Sequence, residues 1–314
     1  MPFSGRQCII YVLETELKKR ISFRIPKQID AVFTPWLMKQ ETDIRQRVDK
    51  ANLELFQPMY SFSNDFHPML GVPYMVLGWA DGVPLSWADT HPAAPERYRI
   101  LRSIANASLD LIRINEKNKT ASKWIRDKIK RKRKRAKAGK LPGGTVADCD
   151  HQKELIDKYL MPELDSAPHV LVHGDLSPVN IIMDEKNNVK SIIDFGLAEF
   201  LPLQFAAAYP RFLTHEPQNG EEDHGRVAMT GVPRNWNARD TLQMRRDREF
   251  YLMCIKEKAF GSEGNKLMRD YWRVLARHDE IARYWWFTAA SRIDIHRDMV
   301  ACDWKPPIRY NCIP

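Results

Sequence analysis

The chain has 314 residues, 44% of them hydrophobic and 28% charged, and a formal net charge of +9; this is an ordinary globular balance for one large domain or two small ones. The charge excess is local: Lys117 to Lys140 carries 13 Lys/Arg against one acid, Asp127, leaving 36 basic and 39 acidic residues elsewhere, which excludes a general nucleic-acid-binding role. No apolar run approaches a membrane span, no secretory leader opens the chain, and five scattered cysteines without C-x-x-C spacing point to reduced thiols in a cytosolic setting rather than a disulfide frame or zinc site.

In chain order, Cys8 to Leu13 reads as a strand, and the alternating Ile21-Ser22-Phe23-Arg24-Ile25-Pro26 as its antiparallel partner. Pro35 suits the first turn of a helix running to about Gln57, with Trp36, Leu37, Ile44, Val48 and Leu55 near helical spacing and Glu41 close to its start. Gly71 to Trp79 reads as a buried strand, and the following Asp81-Gly82-Val83-Pro84-Leu85 as a turn of the kind that joins two lobes. Pro95 to Asn115 predicts an amphipathic helix with Ile100, Leu101, Ile104, Leu109, Leu111 and Ile112 inward. The basic segment is expected as a solvated insertion, closed by Gly139, Pro142, Gly143 and Gly144. A helix is predicted over His151 to Tyr159. Beyond Pro233 the pattern is mostly helical, broken near Gly261 to Gly264 and dense in aromatics.

The chemistry concentrates in His173-Gly174-Asp175-Leu176-Ser177-Pro178-Val179-Asn180 and Ile193-Asp194-Phe195-Gly196, bracketed by the β-like runs Val170 to Val172 and Val189 to Ile193. Phosphoryl transfer from a nucleotide needs a carboxylate at the attacking hydroxyl, and an amide oxygen and a second carboxylate on Mg²⁺. Asp175, Asn180 and Asp194 supply these groups in the order and with the gaps that kinase loops use.

This stretch resembles the aminoglycoside phosphotransferase and choline kinase-like family, and the Arg24-Ile25-Pro26 and Pro73 to Leu85 segments resemble its fungal members in particular. The resemblance implies an α+β, protein-kinase-like two-lobe fold: a small β-rich nucleotide lobe over residues 1–80 and a large, mainly helical catalytic and acceptor-binding lobe over 81–314, with the basic insertion at 117–144. It implies ATP, or another nucleoside triphosphate, with Mg²⁺ as cofactors and a small-molecule hydroxyl as acceptor. Asp175 becomes the catalytic base, Asn180 and Asp194 the metal ligands, and His173 a brace for the loop. Arg24 takes the place of the usual third-strand Lys, with Glu41 as its partner. Leu77 to Trp79 offer backbone groups to the base of the nucleotide.

Two departures separate the chain from protein kinases: Gly174 replaces the Arg of H-R-D, and no A-P-E follows Asp194-Phe195-Gly196. One departure bears on the nucleotide site: about twenty residues precede Ser22 and hold no G-x-G-x-x-G, so the nucleotide lobe is expected to be incomplete. A second reading therefore stands beside the enzyme: a kinase-fold binding or scaffold module with weakened catalysis. The run Arg126 to Lys140 also has the composition of a nuclear-import or acidic-surface patch. The aromatics Tyr271, Trp272, Tyr284, Trp285, Trp286, Phe287 and Trp304 suit either a core or a cage for a cationic acceptor. The acids Glu199, Glu216, Glu221, Glu222 and Asp223 are surface acids or contacts for an amino-bearing acceptor.

Overall fold

The structure is a computed structural model that describes residues 3–4, 8–27, 30, 33–214 and 241–305. Its elements, in chain order, begin with β1 (Phe3–Ser4), β2 (Cys8–Glu14), β3 (Arg20–Pro26), α1 (Phe33–Lys50), β4 (Met59–Ser63), β5 (Tyr74–Gly78), β6 (Val83–Pro84) and α2 (Ala94–Ile112). Then come β7 (Asn115–Glu116), α3 (Ala121–Lys137), α4 (Val146–Glu154), α5 (Ile156–Tyr159), β8 (His169–Val172), β9 (Ile181–Met183), β10 (Val189–Ile192), β11 (Glu199–Pro202) and α6 (Leu203–Ala206). The chain continues through α7 (Leu242–Phe260), α8 (Lys266–Leu275), α9 (Glu280–Thr288) and α10 (Ile293–Ala301). It forms two compact units, one of Met1–Trp87, Pro92–Ile114 and Val172–Glu199, the other of Ala88–His91, Asn115–Leu171 and Phe200–Pro314.

The first unit is built on a five-stranded antiparallel sheet in the order β1-β2-β3-β5-β4. The expected hairpin forms in full register, from Cys8 opposite Pro26 to Glu14 opposite Arg20, and its turn places Lys18 at φ 59°. Phe3 and Ser4 add a short first strand opposite Ile10 and Ile9. Asp30 caps α1: its Oδ1 accepts from the Phe33 amide at 2.6 Å, and its own amide donates to Thr34 Oγ1 at 2.8 Å.

That helix departs from expectation twice. It ends at Lys50, seven residues short of Gln57, because Asn52 takes the left-handed conformation (φ 53°) and the chain then turns back as β4. Its buried face is Thr34, Met38, Glu41, Thr42, Arg45 and Val48, whereas Trp36 and Leu37 are exposed. Glu41 thus sits mid-helix, facing inward. The Met38, Met75 and Leu77 side chains form the apolar core beside that face, with Met59 and Phe62 against them. Helix α2 buries all six apolar residues assigned to its inner face. The β9–β10 hairpin, extended by β6, is flanked by the two loops singled out from the sequence: His173–Asn180 precedes β9 and Asp194–Gly196 follows β10.

In the second unit the basic segment is no solvated insertion. It is α3, capped by Thr120 Oγ1 accepting from the Lys123 amide at 3.3 Å, and it buries Trp124, Ile125, Ile129 and the stem and ammonium of Lys132. An apolar stripe at helical spacing lies hidden under the cations, which snorkel outward on the far side. Lys132, in the middle of the basic run, donates to Gln152 Oε1, to the Ala289 carbonyl at 3.0 Å and to His296 Nδ1 at 2.8 Å. The predicted His151–Tyr159 helix is two helices, α4 and α5, the first begun by a Thr145/Asp148 capping box.

The C-terminal aromatics Tyr271, Trp285, Trp286, Phe287 and Trp304 are buried as core rather than arrayed as a cage. Glu199 is exposed, while Glu216 and Glu221 to Asp223 lie outside the described residues. Among the described residues no helix is long and apolar enough to cross a membrane.

Candidate functional site

A cavity of about 760 Å³ lies within the first unit, lined by residues of the sheet, of the Trp79–Pro84 connection and of the two catalytic loops. Six of the seven residues singled out from the sequence meet it: Arg24, Leu77, Trp79, Asp175, Asn180 and Asp194. Glu41 does not line it and instead stands behind Arg24.

The loop geometry follows from two clamps on one residue. His173 Nε2 donates to the Ile193 carbonyl at 2.9 Å, and the Ile193 amide donates to the Asn180 carbonyl, also at 2.9 Å. Ile193 immediately precedes Asp194, so these bonds fix where that carboxylate emerges. His173 is buried, and burial holds its imidazole below the ordinary histidine range, opposed mainly by the bond to Ile193. It is therefore neutral, with its proton on Nε2, and serves as the brace expected of it.

Asn180 Nδ2 donates to the Asp175 carbonyl at 2.9 Å and to Asp175 Oδ2 at 3.2 Å. That commits the amide nitrogen and leaves Oδ1 as the hard oxygen donor. Asp194 has φ 67°, and its Oδ1 accepts from the Gly196 amide at 3.1 Å, a tight turn that leaves the carboxylate half exposed. Phe195, between them, is buried, with its ring 5.1 Å from that of His173 and 5.5 Å from that of Phe56.

Arg24 Nη1 donates to Glu41 Oε1 at 2.6 Å, and its Nη2 lies 3.6 Å from Asp194 Oδ1. Both members of the Arg24–Glu41 pair are buried. Burial alone would lower the Arg24 pKa; Glu41, Cys8 and Asp194 more than offset it and raise it above the usual value. The guanidinium is a fixed cation beside the Asp194 carboxylate.

Sequence reasoning missed three participants. Arg45 shares Glu41 Oε1 with Arg24, at 2.9 Å; its signal was the i,i+4 spacing from Glu41. Gln57 Nε2 donates to the Gly78 carbonyl at 2.6 Å, while the Gly78 amide donates to Pro58. Ser22 Oγ donates to the Leu77 carbonyl at 3.3 Å. Within Leu77 to Trp79, the first two residues are therefore engaged in the sheet, and Trp79 alone keeps backbone groups without hydrogen bonds among the described residues. Its indole stacks obliquely on Phe3 at 5.6 Å, forming an aromatic wall of the cavity.

No three His, Cys, Asp or Glu side chains converge as a metal cluster among the described residues. The available donor set is instead one amide oxygen, from Asn180, and one carboxylate, from Asp194. It fits Mg²⁺, which binds through one or two protein oxygens and completes its shell with water and phosphate oxygens.

An antiparallel sheet with a buried cation–carboxylate pair, feeding two such loops, defines a protein-kinase-like α+β fold. The model of the phosphotransferase enzyme family matches residues 37–205, more than half of the chain, and the chain belongs to that family. No curated protein matches it in sequence. Among solved structures, it is similar to a provisionally named aminoglycoside phosphotransferase from Ralstonia eutropha, with TM-score 0.53, 14% identity and 93% of each chain covered. It is also similar to macrolide 2'-phosphotransferase type I, with TM-score 0.51 and 13% identity over 97% of this chain and 89% of that one. The ADP-bound aminoglycoside phosphotransferase APH(2'')-Ib gives TM-score 0.51 and 13% identity over 90% and 92%. At these identities the likeness is one of fold.

Proposed function

We propose that the protein is a nucleotide-dependent O-phosphotransferase that moves the γ-phosphoryl group of ATP, or another nucleoside triphosphate, to a hydroxyl of a small molecule. The observation that carries this reading is the Asn180 amide bonded to Asp175, with Arg24 and Asp194 facing each other at 3.6 Å in the same cavity. The family membership and the ADP-bound neighbour support nucleotide use by analogy.

In this reading Asp175 accepts the proton of the acceptor hydroxyl as its oxygen attacks the γ-phosphorus. The bond to the bridging oxygen breaks, and the nucleoside diphosphate leaves. The Asn180 hydrogen bond holds the Asp175 carboxylate in place, and Arg24 supplies positive charge toward phosphate oxygens. Asn180 Oδ1 and Asp194 would hold Mg²⁺, which neutralises phosphate charge when bound. Phe3 and Trp79 offer an aromatic face to the base, and the free backbone groups of Trp79 offer hydrogen bonds to its edge.

The test is binding of a fluorescent ADP analogue with and without Mg²⁺, followed by a screen of hydroxyl acceptors with γ-labelled ATP. Mg²⁺-dependent binding, together with label transfer abolished by Asp175→Asn, supports the reading. Failure to bind nucleotide at millimolar concentration overturns it in favour of a kinase-fold binding module. The second reading draws on Arg24 standing where the usual third-strand Lys would be, since the two are not geometrically equivalent toward phosphate.

A further inference from the structure

One buried cation stands behind the cavity, against Glu41, Gln57 and Phe195, and the phosphotransferase chemistry above gives it no role. Arg45 is 1% exposed. Its Nε donates to Glu41 Oε1, the same oxygen that receives Arg24 Nη1. Its guanidinium carbon sits 5.2 Å from the centre of the Phe195 ring, the residue between Asp194 and Gly196. Its Nη1 donates to the Gln57 carbonyl at 3.4 Å, and the Gln57 side chain in turn holds the Gly78 carbonyl at the end of β5. Its Nη2 is buried without a hydrogen-bond partner among the described residues.

An apolar side chain would fill this space at lower desolvation cost, and because Glu41 keeps Arg24 as a partner, the exchange strands no carboxylate. Burial pulls the Arg45 pKa below the ordinary arginine value, with Glu41 opposing. The charge is thus an expense for folding, and the geometry it imposes is what distinguishes it from a hydrophobe. Without it, Glu41 keeps Arg24 as its only close partner and gains freedom to swing with it. Phe195 loses the planar cation against its face. Arg24 and Asp194 then lose their common support.

We propose that Arg45 is a positioning residue for phosphoryl transfer, fixing Arg24 through Glu41 and Asp194 through Phe195 so that the phosphate-facing cation and the metal-facing carboxylate keep one relative placement. The inference rests on the phosphotransferase reading and extends it to a residue that does not line the cavity.

The experiment uses the full chain and two variants, Arg45→Met and Arg45→Lys. Three quantities are read: the melting temperature, the affinity for a fluorescent ADP analogue with and without Mg²⁺, and kcat and KM for hydrolysis of Mg·ATP with water as acceptor. For Arg45→Met we expect an unchanged or higher melting temperature and a metal-free affinity that falls less than the Mg²⁺-dependent one. The Mg²⁺-dependent tightening and kcat should each fall about 10- to 100-fold, the usual effect of removing a partner that orients a metal ligand. KM should move less than kcat. Arg45→Lys, which can still bond Glu41 but presents no planar guanidinium to Phe195, should recover part of both. An Arg45→Met protein with wild-type tightening and kcat overturns the assignment. So does a variant that loses thermal stability while Arg45→Lys keeps the full Mg²⁺ effect, since Arg45 would then be structural only. A wild-type protein that shows no Mg²⁺-dependent binding overturns the phosphotransferase reading itself, an outcome distinct from failure of the Arg45 assignment alone.

Discussion

A β-carbon on Gly174 would lie 1.8 Å from the carbonyl oxygen of Leu197. Gly174 also has φ 78°, a conformation that disfavours any side chain. The residue that replaces the Arg of H-R-D is therefore fixed by packing between the two catalytic loops. Gly174→Ala should lower stability by roughly 2–4 kcal/mol, since neither the backbone contact nor the left-handed conformation relaxes cheaply. Urea denaturation measures this, and a cost below about 1 kcal/mol would show that the Gly174–Leu197 contact yields without difficulty.

Asp175→Asn preserves shape and still offers an oxygen to Asn180 Nδ2, so the fold should be retained. What is lost is a carboxylate able to take a proton. The transfer rate should fall about a hundred- to ten-thousand-fold at constant melting temperature. Retained turnover in a correctly folded Asp175→Asn protein would remove Asp175 from the proposed role.

Glu41 is the counter-charge for two buried guanidinium groups, Arg24 and Arg45. Glu41→Gln leaves both without a carboxylate in the protein interior and should cost about 3–5 kcal/mol, as breaking a buried pair from one side does. Calorimetry on the variant checks this. The double variant Glu41→Gln/Arg45→Met should recover part of the loss, because one of the stranded charges is gone.

Lys132 and His296 give the second unit a pH signature. Burial lowers the Lys132 pKa to about 8 and that of His296 to about 4, the latter helped by the neighbouring ammonium. In both cases the folded state binds fewer protons than the unfolded one, so stability rises with pH between the folded and unfolded values. For His296 the stability is present above about 6.5 and falls away as pH drops toward 4. For Lys132 the gain comes as pH rises from about 8 toward the ordinary lysine value. Melting temperature against pH in wild type and Lys132→Met should show the alkaline gain only in wild type. An identical alkaline profile in both would contradict the assignment.

Much of the candidate site was legible in the sequence because catalytic loops are local. Asp175, Asn180 and Asp194 lie within twenty residues, and their spacing alone places three oxygen-bearing groups on adjoining turns. Helix α2 was legible for the same reason, since its apolar stripe follows the helical period. Helix α1 was misread because the rule that buried means apolar fails there: its inner face carries Glu41 and Arg45, while Trp36 and Leu37 face out. Helix α3 was misread because its cations outnumber the few apolar residues that hold it down.

The sequence by itself placed Asp175, Asn180 and Asp194 in the order that kinase loops use, within His173–Asn180 and Asp194–Gly196, and it offered Glu41 as a partner for Arg24. Only the tertiary structure decided that this pair is buried and that Arg45 completes it. The tertiary structure also decided that Gln57 and Ser22 occupy the carbonyls ahead of Trp79, and that Gly174 is required by Leu197. The reason is physical: hydrogen-bonding turns and strand pairs are set by neighbours in the chain, whereas a buried charge network depends on which distant side chains the fold brings within 3 Å of one carboxylate oxygen.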